Sequence, residues 1–285
     1  MTGLDSLARE VGQGELATPA IKPDNEARIV FHGEAPHGRL PLAVVYLHGF
    51  TASQAEGAPA HREIARTLGA HLFLNRLGDH GSDAPEAMAG ASPERWRDEA
   101  RHALEIGLQL GDRVLLVGTS MGASLALDLA ASRPDVVAGV VAWSPGIRVH
   151  DPAQLRAAVM LQGAVAVPGE RSAFQRRYWS SIVHTDAYRA IARLFIERMR
   201  PEVLAHVVCP VFFGVWDGGE GDRDTLTSVS AMRHAFGWLG TPEAQRRLVA
   251  YDHAAHVLAS PERSPAAGRV LADSLAFLRD VGLTR

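Results

Sequence analysis

Ser120 stands between two glycines, in Gly118-Thr119-Ser120-Met121-Gly122, at the seam between two stretches of different character. Before it, Asp112 to Val117 ends in a β-branched and aliphatic run that reads as a buried strand. After it, Ala123 to Ala130 reads as a helix. A serine flanked by glycines at a strand-to-helix corner is the pattern of a nucleophile elbow. Such a turn is tight, so the flanking positions have no room for a Cβ against the neighbouring strand and helix. The corner presents an exposed hydroxyl at the positive end of a helix and leaves the Met121 N–H free to hold an oxyanion. The chemistry implied is attack of the Ser120 hydroxyl on a carbonyl.

A serine hydroxyl is a weak nucleophile at neutral pH and needs an adjacent base, normally a histidine oriented by a carboxylate. In an open α/β sheet functional groups collect at the C-terminal ends of strands. The acid and the histidine are therefore expected after the last two strands, in the order serine, acid, histidine. Two histidines follow the last strand, His253 and His256. His256 is favoured: the residues before it give reach, and Val257-Leu258 after it anchor the loop. His253, nearer the strand end, is expected to be solvated or to brace the loop.

Four acids, Asp217, Glu220, Asp222 and Asp224, follow the preceding strand in one glycine-rich loop. Asp217 is nearest the strand. Asp224 lies a few residues ahead of a helix that Ser228 would cap, a position where a carboxylate is held rigidly. The residues by themselves leave both open. At the end of an earlier strand, His48-Gly49-Phe50 offers a sharp turn at Gly49 and a second oxyanion donor in the Phe50 N–H. His48 and His80 are expected to brace loops.

These groups need a scaffold, and the chain alternates strands with helices. Strands are expected at Leu42–Leu47, His71–Leu74, Asp112–Val117, Val136–Val141, Pro210–Val215 and Arg247–Tyr251. Helices are expected at Ala60–Leu68, from Ser92-Pro93 to Leu110, and at Ala123–Ala130, Ser228–Trp238 and Ala266–Leu278. This pattern predicts an α/β fold with a mostly parallel sheet covered on both faces. Residues 1–40 read as a polar extension with an edge strand at Arg28–Phe31. Residues 41–145 and 202–285 read as the core, and 146–201 as a mostly helical cap without a sheet strand. In the cap, Val159-Met160-Leu161 and Ala164–Val167 are expected to glue the cap down or line a pocket. Arg171, Arg176 and Arg177 read as a solvated face, with contact to an anionic substrate as the alternative.

The chain has 285 residues, 47% of them hydrophobic and 21% charged, with a formal net charge of −3. There is no basic run to hold nucleic acid. Cys209 is the only cysteine, which rules out an intramolecular disulfide and a thiolate metal cluster. No secretory signal and no membrane-spanning stretch is visible, so the expected location is cytoplasmic. Neither metal nor organic cofactor is expected; oligomeric state is left open.

Taken together, Leu47-His48-Gly49-Phe50, Leu77-Gly78-Asp79-His80-Gly81, Gly118–Gly122, the acid loop and His256-Val257-Leu258 resemble the α/β-hydrolase superfamily over nearly the whole chain. The chain is similar in particular to bacterial carboxylesterase-like and lysophospholipase-like hydrolases, which also carry a cap run like Tyr178-Trp179 followed by His184-Thr185-Asp186-Ala187-Tyr188. That group has an Asp, an apolar pair and then Ser-Val before the next helix. The resemblance thus implies Asp224 as the acid, through Asp224-Thr225-Leu226-Thr227-Ser228-Val229. The stretch Asp217-Gly218-Gly219-Glu220-Gly221 departs from the group's aromatic and charged loop.

The expected activity is a serine hydrolase acting on a carboxylic ester, or thioester, of a small-molecule substrate, with Ser120, His256 and Asp224 as triad and the Phe50 and Met121 N–H groups as oxyanion hole. The same triad serves carbon–carbon bond hydrolysis and cofactor-free peroxidase-type chemistry, and a non-catalytic binding protein is the reading from another class. Serine in place of aspartate at the elbow disfavours dehalogenase and epoxide-hydrolase chemistry.

Overall fold

The computed structural model describes residues 3–34, 37–167 and 169–284; Met1, Thr2, Ala35, Pro36, Pro168 and Arg285 lie outside the described residues. The ends of the expected 1–40 extension and 202–285 segment therefore fall partly outside them.

The first element, α1 (Gly3–Ala17), is a helix where composition suggested only an irregular extension. Leu4, Leu7 and Val11 share one face at helical spacing, and Leu4 and Leu7 bury it against the core. The chain then runs through β1 (Arg28–Val30), β2 (Leu40–Leu47), a short 3-10 helix (Gln54–Gly57), α2 (Ala60–Leu68) and β3 (His71–Leu74). Next come α3 (Pro93–Leu110), β4 (Gly111–Thr119), α4 (Met121–Ser132) and β5 (Val137–Trp143).

Helix α3 starts where Ser92 Oγ accepts the Arg95 N–H at 3.2 Å and Pro93 occupies the first turn. Its buried Trp96, Ala100, Ala103, Leu104 and Gly107 form one stripe. Gly107 lets the helix lie close on the sheet, for a Cβ there would come within 2.6 Å of Val45 Cγ2.

Between β5 and the rest of the sheet lie α5 (Pro152–Met160), β6 (Ala164–Ala166), α6 (Ala173–Tyr178), β7 (Ile182–His184), α7 (Thr185–Arg198) and α8 (Pro201–Leu204). The expectation of a strandless segment is corrected here: β6 and β7 pair antiparallel with each other, apart from the main sheet. Three residues are too few for alternation to show in sequence. The expected gluing by Val159-Met160-Leu161 is corrected too. Helix α5 buries no residue, and Met160 and Leu161 are 80% and 49% exposed. Instead α7 fastens the segment, with Ala187, Ala190, Ile191, Leu194 and Phe195 in the main core.

The chain closes with β8 (Val211–Gly219), β9 (Asp222–Arg223), α9 (Val229–Trp238), β10 (Arg246–Tyr251) and α10 (Ala267–Asp280). The glycine-rich stretch from Asp217 to Gly221 is the turn of a β8–β9 hairpin rather than a loose loop, with φ values of +114° at Gly219 and +76° at Gly221.

The main sheet has the order β1-β3-β2-β4-β5-β8-β10 with β9 attached to β8. The five inner pairings from β3 to β10 are all parallel, while β1 adds an antiparallel edge to β3. Parallel strands need crossovers, and helices on both faces bury the sheet. Alternation along β2 sorts its residues between the faces. Ala43, Val45 and Leu47 join the core shared with α3, α4 and α7, whereas Val44 and Tyr46 join the core under α2 and α10. This layering puts the C-terminal ends of β2, β4, β8 and β10 on one rim.

Candidate active site

The elbow is built on that rim by close approach. Ser120 follows β4 with φ +53° and ψ −119°, a conformation that a side chain rarely adopts. Three backbone bonds hold it: Ser120 N–H to Trp143 O at 2.9 Å, Gly146 N–H to Ser120 O at 3.0 Å and Ser124 N–H to Ser120 O at 3.1 Å. A Cβ on Gly118 would come within 2.6 Å of the Ala123 nitrogen, and one on Gly122 would run into the Leu47 and His48 carbonyl oxygens. Both glycines are therefore required by the packing of α4 against the strand ends. Ser120 is only 7% exposed, less than expected for a displayed hydroxyl.

The 146–201 segment brings aromatic side chains to the neighbouring loops. Trp179 packs with Ala52 and Val257, and Phe174 and Tyr178 lie against the same cluster. The Ser180 N–H donates to Thr51 O at 2.8 Å. Lys22, near the chain's start, donates from Nζ to Trp179 O at 2.7 Å and Arg176 O at 2.8 Å, and pairs with Asp83 at 3.3 Å. Of the three cap arginines, Arg171 donates to Ser180 O at 2.7 Å, Arg176 to Arg171 O, and Arg177 pairs with Asp24. Arg171 and Arg176 thus bond the segment's own backbone, while Arg176 and Arg177 are exposed, as a solvated face would be.

Asp224 and His256 meet across 32 positions. Asp224 Oδ2 lies 2.7 Å from His256 Nδ1 and accepts the Thr227 hydroxyl at 2.9 Å, while Oδ1 accepts the Leu226 and Thr227 N–H groups at 2.8 and 3.0 Å. Burial alone would raise the Asp224 carboxyl. The His256 charge and hydrogen bond and the two loop N–H groups more than offset it, holding it at about 2. For His256 burial works downward, the Asp224 charge and hydrogen bond work upward, and the net shift is upward. Both hydrogen bonds of the ring are at Nδ1, which leaves Nε2 for proton transfer. Val257 and Leu258, 8% and 0% exposed, anchor the loop as expected.

The competing residues lie elsewhere. Asp217 belongs to β8 and pairs with Arg233 at 2.7 Å, so it does not merely face water. Asp222 accepts the Trp216 indole N–H at 2.7 Å and the His253 N–H at 2.8 Å. The His253 side chain is 84% exposed.

Met121 opens α4, so its N–H has no carbonyl one turn back within the helix. Phe50 follows Gly49, whose hypothetical Cβ would sit 3.2 Å from Ser120 Cβ. The backbone just before Phe50 therefore passes right beside the serine. His48 braces this loop. Its Nε2 accepts the Leu77 N–H at 3.0 Å, which puts the proton on Nδ1 to donate to Gly49 O at 2.9 Å. Burial keeps this imidazole neutral, down to about 4. His80 also braces a loop, bonding Gly78 O at 3.2 Å.

Among the described residues Ser120 Oγ is not hydrogen-bonded to His256. Such bonds are often long in unliganded enzymes and tighten with substrate. Sequence reasoning also passed over Thr227, which shares the Asp224 oxygen with His256. It passed over Glu56 as well, a 2%-exposed carboxylate beside Gly49. No spacing rule marks a buried acid inside a turn. No group of three or more His, Cys, Asp or Glu able to hold a metal occurs among the described residues.

A mostly parallel sheet, helices on both faces and a serine at the strained corner after a central strand define an α/β-hydrolase fold. The chain belongs to the alpha/beta hydrolase family, whose model matches residues 44–284. Among solved structures it is similar to one described with the metagenome-derived lipolytic enzymes LipS and LipT. The two are 19% identical, with 91% of this chain and 99% of the other covered, at a TM-score of 0.75. The monoacylglycerol lipase of Paleococcus ferrophilus is similar at 16% identity, covering 90% and 98%, with a TM-score of 0.68. A soluble monoglyceride lipase variant from Saccharomyces cerevisiae, in complex with a substrate analogue, is similar at 12% identity, covering 90% and 91%, with a TM-score of 0.70. At these identities the likeness is one of fold. No curated protein matches the chain in sequence. Among the described residues no helix is long and apolar enough to cross a membrane.

Proposed function

We propose that the protein is a serine hydrolase that cleaves a carboxylic ester through an acyl-enzyme. The observation that carries this reading is the 2.7 Å Asp224–His256 pair on the rim where Ser120 sits at its strained corner. In this mechanism His256 Nε2 takes the Ser120 proton as Oγ attacks the ester carbonyl, and Asp224 holds the ring and balances the imidazolium. The Phe50 and Met121 N–H groups bind the oxyanion of the tetrahedral intermediate. His256 returns the proton to the leaving alcohol, and water then repeats the sequence to free the acid and regenerate Ser120.

Segment 146–201 acts in this reading as a cap. The Trp179, Phe174 and Tyr178 cluster gives the site an apolar roof, and water exclusion strengthens the electrostatic action of the backbone donors. The lipolytic and monoacylglycerol-cleaving activities named for the similar structures support an ester as the substrate class. Labelling with a fluorophosphonate probe tests the nucleophile, and a panel of p-nitrophenyl esters of rising acyl length tests the reaction. Wild-type protein should be labelled and Ser120→Ala should not. An unlabelled wild type inert toward every ester would overturn the proposal.

A further inference from the structure

Glu56 lies in the short 3-10 helix Gln54–Gly57, a few residues beyond the Gly49-Phe50 turn, and is 2% exposed. Its Oε2 accepts the Gly49 N–H at 2.6 Å and the Tyr46 hydroxyl at 3.3 Å. Tyr46 OH also bonds Thr119 Oγ1 at 3.0 Å. A buried chain of hydrogen bonds thus runs from Gly49, the residue before Phe50, to Thr119, the residue before Ser120. It joins the two loops that carry the oxyanion donors. The carboxylate is also at the site itself. A Cβ on Gly49 would lie 2.9 Å from Glu56 Oε1 and 3.2 Å from Ser120 Cβ, so acid and serine flank one glycine.

Among the described residues Glu56 has no ion-pair partner. Strand β2 contributes Tyr46 and β4 the uncharged Thr119. From α2, His61 stacks edge-on against Tyr46 at 4.7 Å, bonded to Gln54 O and kept neutral by burial, down to about 3. Helix α6 packs on the 3-10 helix, but its Arg176 and Arg177 are turned to Arg171 O and Asp24. Burial raises the Glu56 carboxyl to about 7, and the opposing influences are the Gly49 N–H, the His256 charge and the Tyr46 hydroxyl. His256 in turn bonds Asp224 and Thr227, and the charge of Glu56, which lies across Gly49 from Ser120, favours its protonated form.

Burying a carboxylate without a cation is unfavourable. If the position only had to accept the Gly49 N–H, a glutamine amide oxygen would do so without charge. We propose that Glu56 is a positioning residue of this site, which fixes the Gly49-Phe50 turn and acts as a second anion, beside Asp224, on His256. The proposal rests on the triad reading above. When His256 takes the Ser120 proton, the imidazolium then has Asp224 at 2.7 Å and the Glu56 charge acting on it as well, and His256 and Glu56 titrate as a coupled pair.

The test separates charge from hydrogen bonding, because Glu56→Gln keeps the acceptor and removes the charge whereas Glu56→Ala removes both. The ring of His256 is followed by NMR on histidine-labelled protein without substrate, its signal assigned by loss in His256→Asn. Glu56→Gln is expected to lower the His256 titration midpoint by roughly half a unit or more. The acid limb of kcat/KM should move to lower pH with it. Plateau kcat should fall by at most about threefold in Glu56→Gln but by tenfold or more in Glu56→Ala, with KM little changed in either. An unmoved midpoint in folded Glu56→Gln would overturn the charge role, and equal kcat in Gln and Ala variants would overturn the turn-holding role. The NMR arm needs no turnover, so it decides the Glu56 proposal even if the ester-hydrolase reading fails in the labelling experiment.

Discussion

Thr227 Oγ1 and His256 Nδ1 bind the same oxygen of Asp224, at 2.9 and 2.7 Å. The acid is thereby locked from its own loop as well as from the histidine. The loop is pinned in turn by His150 N–H to Leu226 O and Ser228 N–H to Arg148 O, both at 2.9 Å. Such a carboxylate has one orientation, which is what holding an imidazole in one tautomer requires.

Asp224→Asn should cut kcat by about 10³- to 10⁴-fold, because an amide favours the wrong imidazole tautomer. Asp217→Asn should leave kcat/KM within about twofold, since it breaks only a partly exposed pair with Arg233 worth roughly 0–1 kcal/mol. Steady-state ester hydrolysis by the two variants makes the comparison. Equal losses would remove Asp224 from the triad.

For the base, His256→Ala should lose about 10³-fold or more in kcat. His253→Ala should lose far less, its ring being mostly in water. Pre-steady-state burst measurements would read the difference at acylation, and a reversed ranking would move the base to His253.

The elbow predicts an unusual stability order. Ser120→Ala should abolish activity and keep the backbone strain, whereas Ser120→Gly should abolish activity and relieve it. The relief is of order 1–3 kcal/mol, offset by about 0.5–1 kcal/mol from the greater freedom of an unfolded glycine. In urea titrations Ser120→Gly should therefore be at least as stable as Ser120→Ala. A markedly less stable glycine variant would contradict strain at φ +53°.

Stability should also carry a signature of Glu56. Its folded pKa of about 7 lies above the ordinary 4.5, so the native state binds the extra proton between those values. Its contribution is fully present below about 4.5 and is lost as pH rises through about 7, by up to ~3 kcal/mol. Glu56→Gln should thus gain on the wild type as pH rises from 4.5 to 8. His48 has the opposite sign. Its folded value of about 4 lies below the ordinary 6.5, so its contribution is present above 6.5 and lost as pH falls toward 4. Chemical denaturation at intervals from pH 4 to 8 would read both slopes, and a flat wild-type–Gln difference would place the Glu56 carboxyl near 4.5.

Lys22 ties the cap's aromatic run to the chain's start, so Lys22→Met should loosen the roof without touching the nucleophile. KM for long-chain esters should rise several-fold, while labelling of Ser120 by a small fluorophosphonate should continue. Loss of labelling would mean that the strap also shapes the elbow.

Much of this was open to reading along the chain, because it depends on neighbours in sequence. The elbow glycines, the Ser92 and Ser228 caps, and the boundaries Ala60–Leu68 and His71–Leu74 follow from local sterics and local hydrophobic period. Helix α1 was legible too, in the spacing of Leu4, Leu7 and Val11, but a polar composition hid it.

What the sequence by itself determined is a set of candidate reactive groups, their order along the chain and the alternation that stacks a parallel sheet. What only the tertiary structure decided is which of them meet. Asp224 rather than Asp217 reaches His256 because β8 runs on into a hairpin that commits Asp217 to Arg233, leaving the return loop to deliver the acid. Glu56 became a neighbour of Gly49 and Ser120 only once the turn after β2 folded back over the rim. The roof of Trp179 over Ala52 and Val257 joins three distant stretches. Apolar packing is non-directional, so pattern says that a side chain is buried and only the assembled layers say against what.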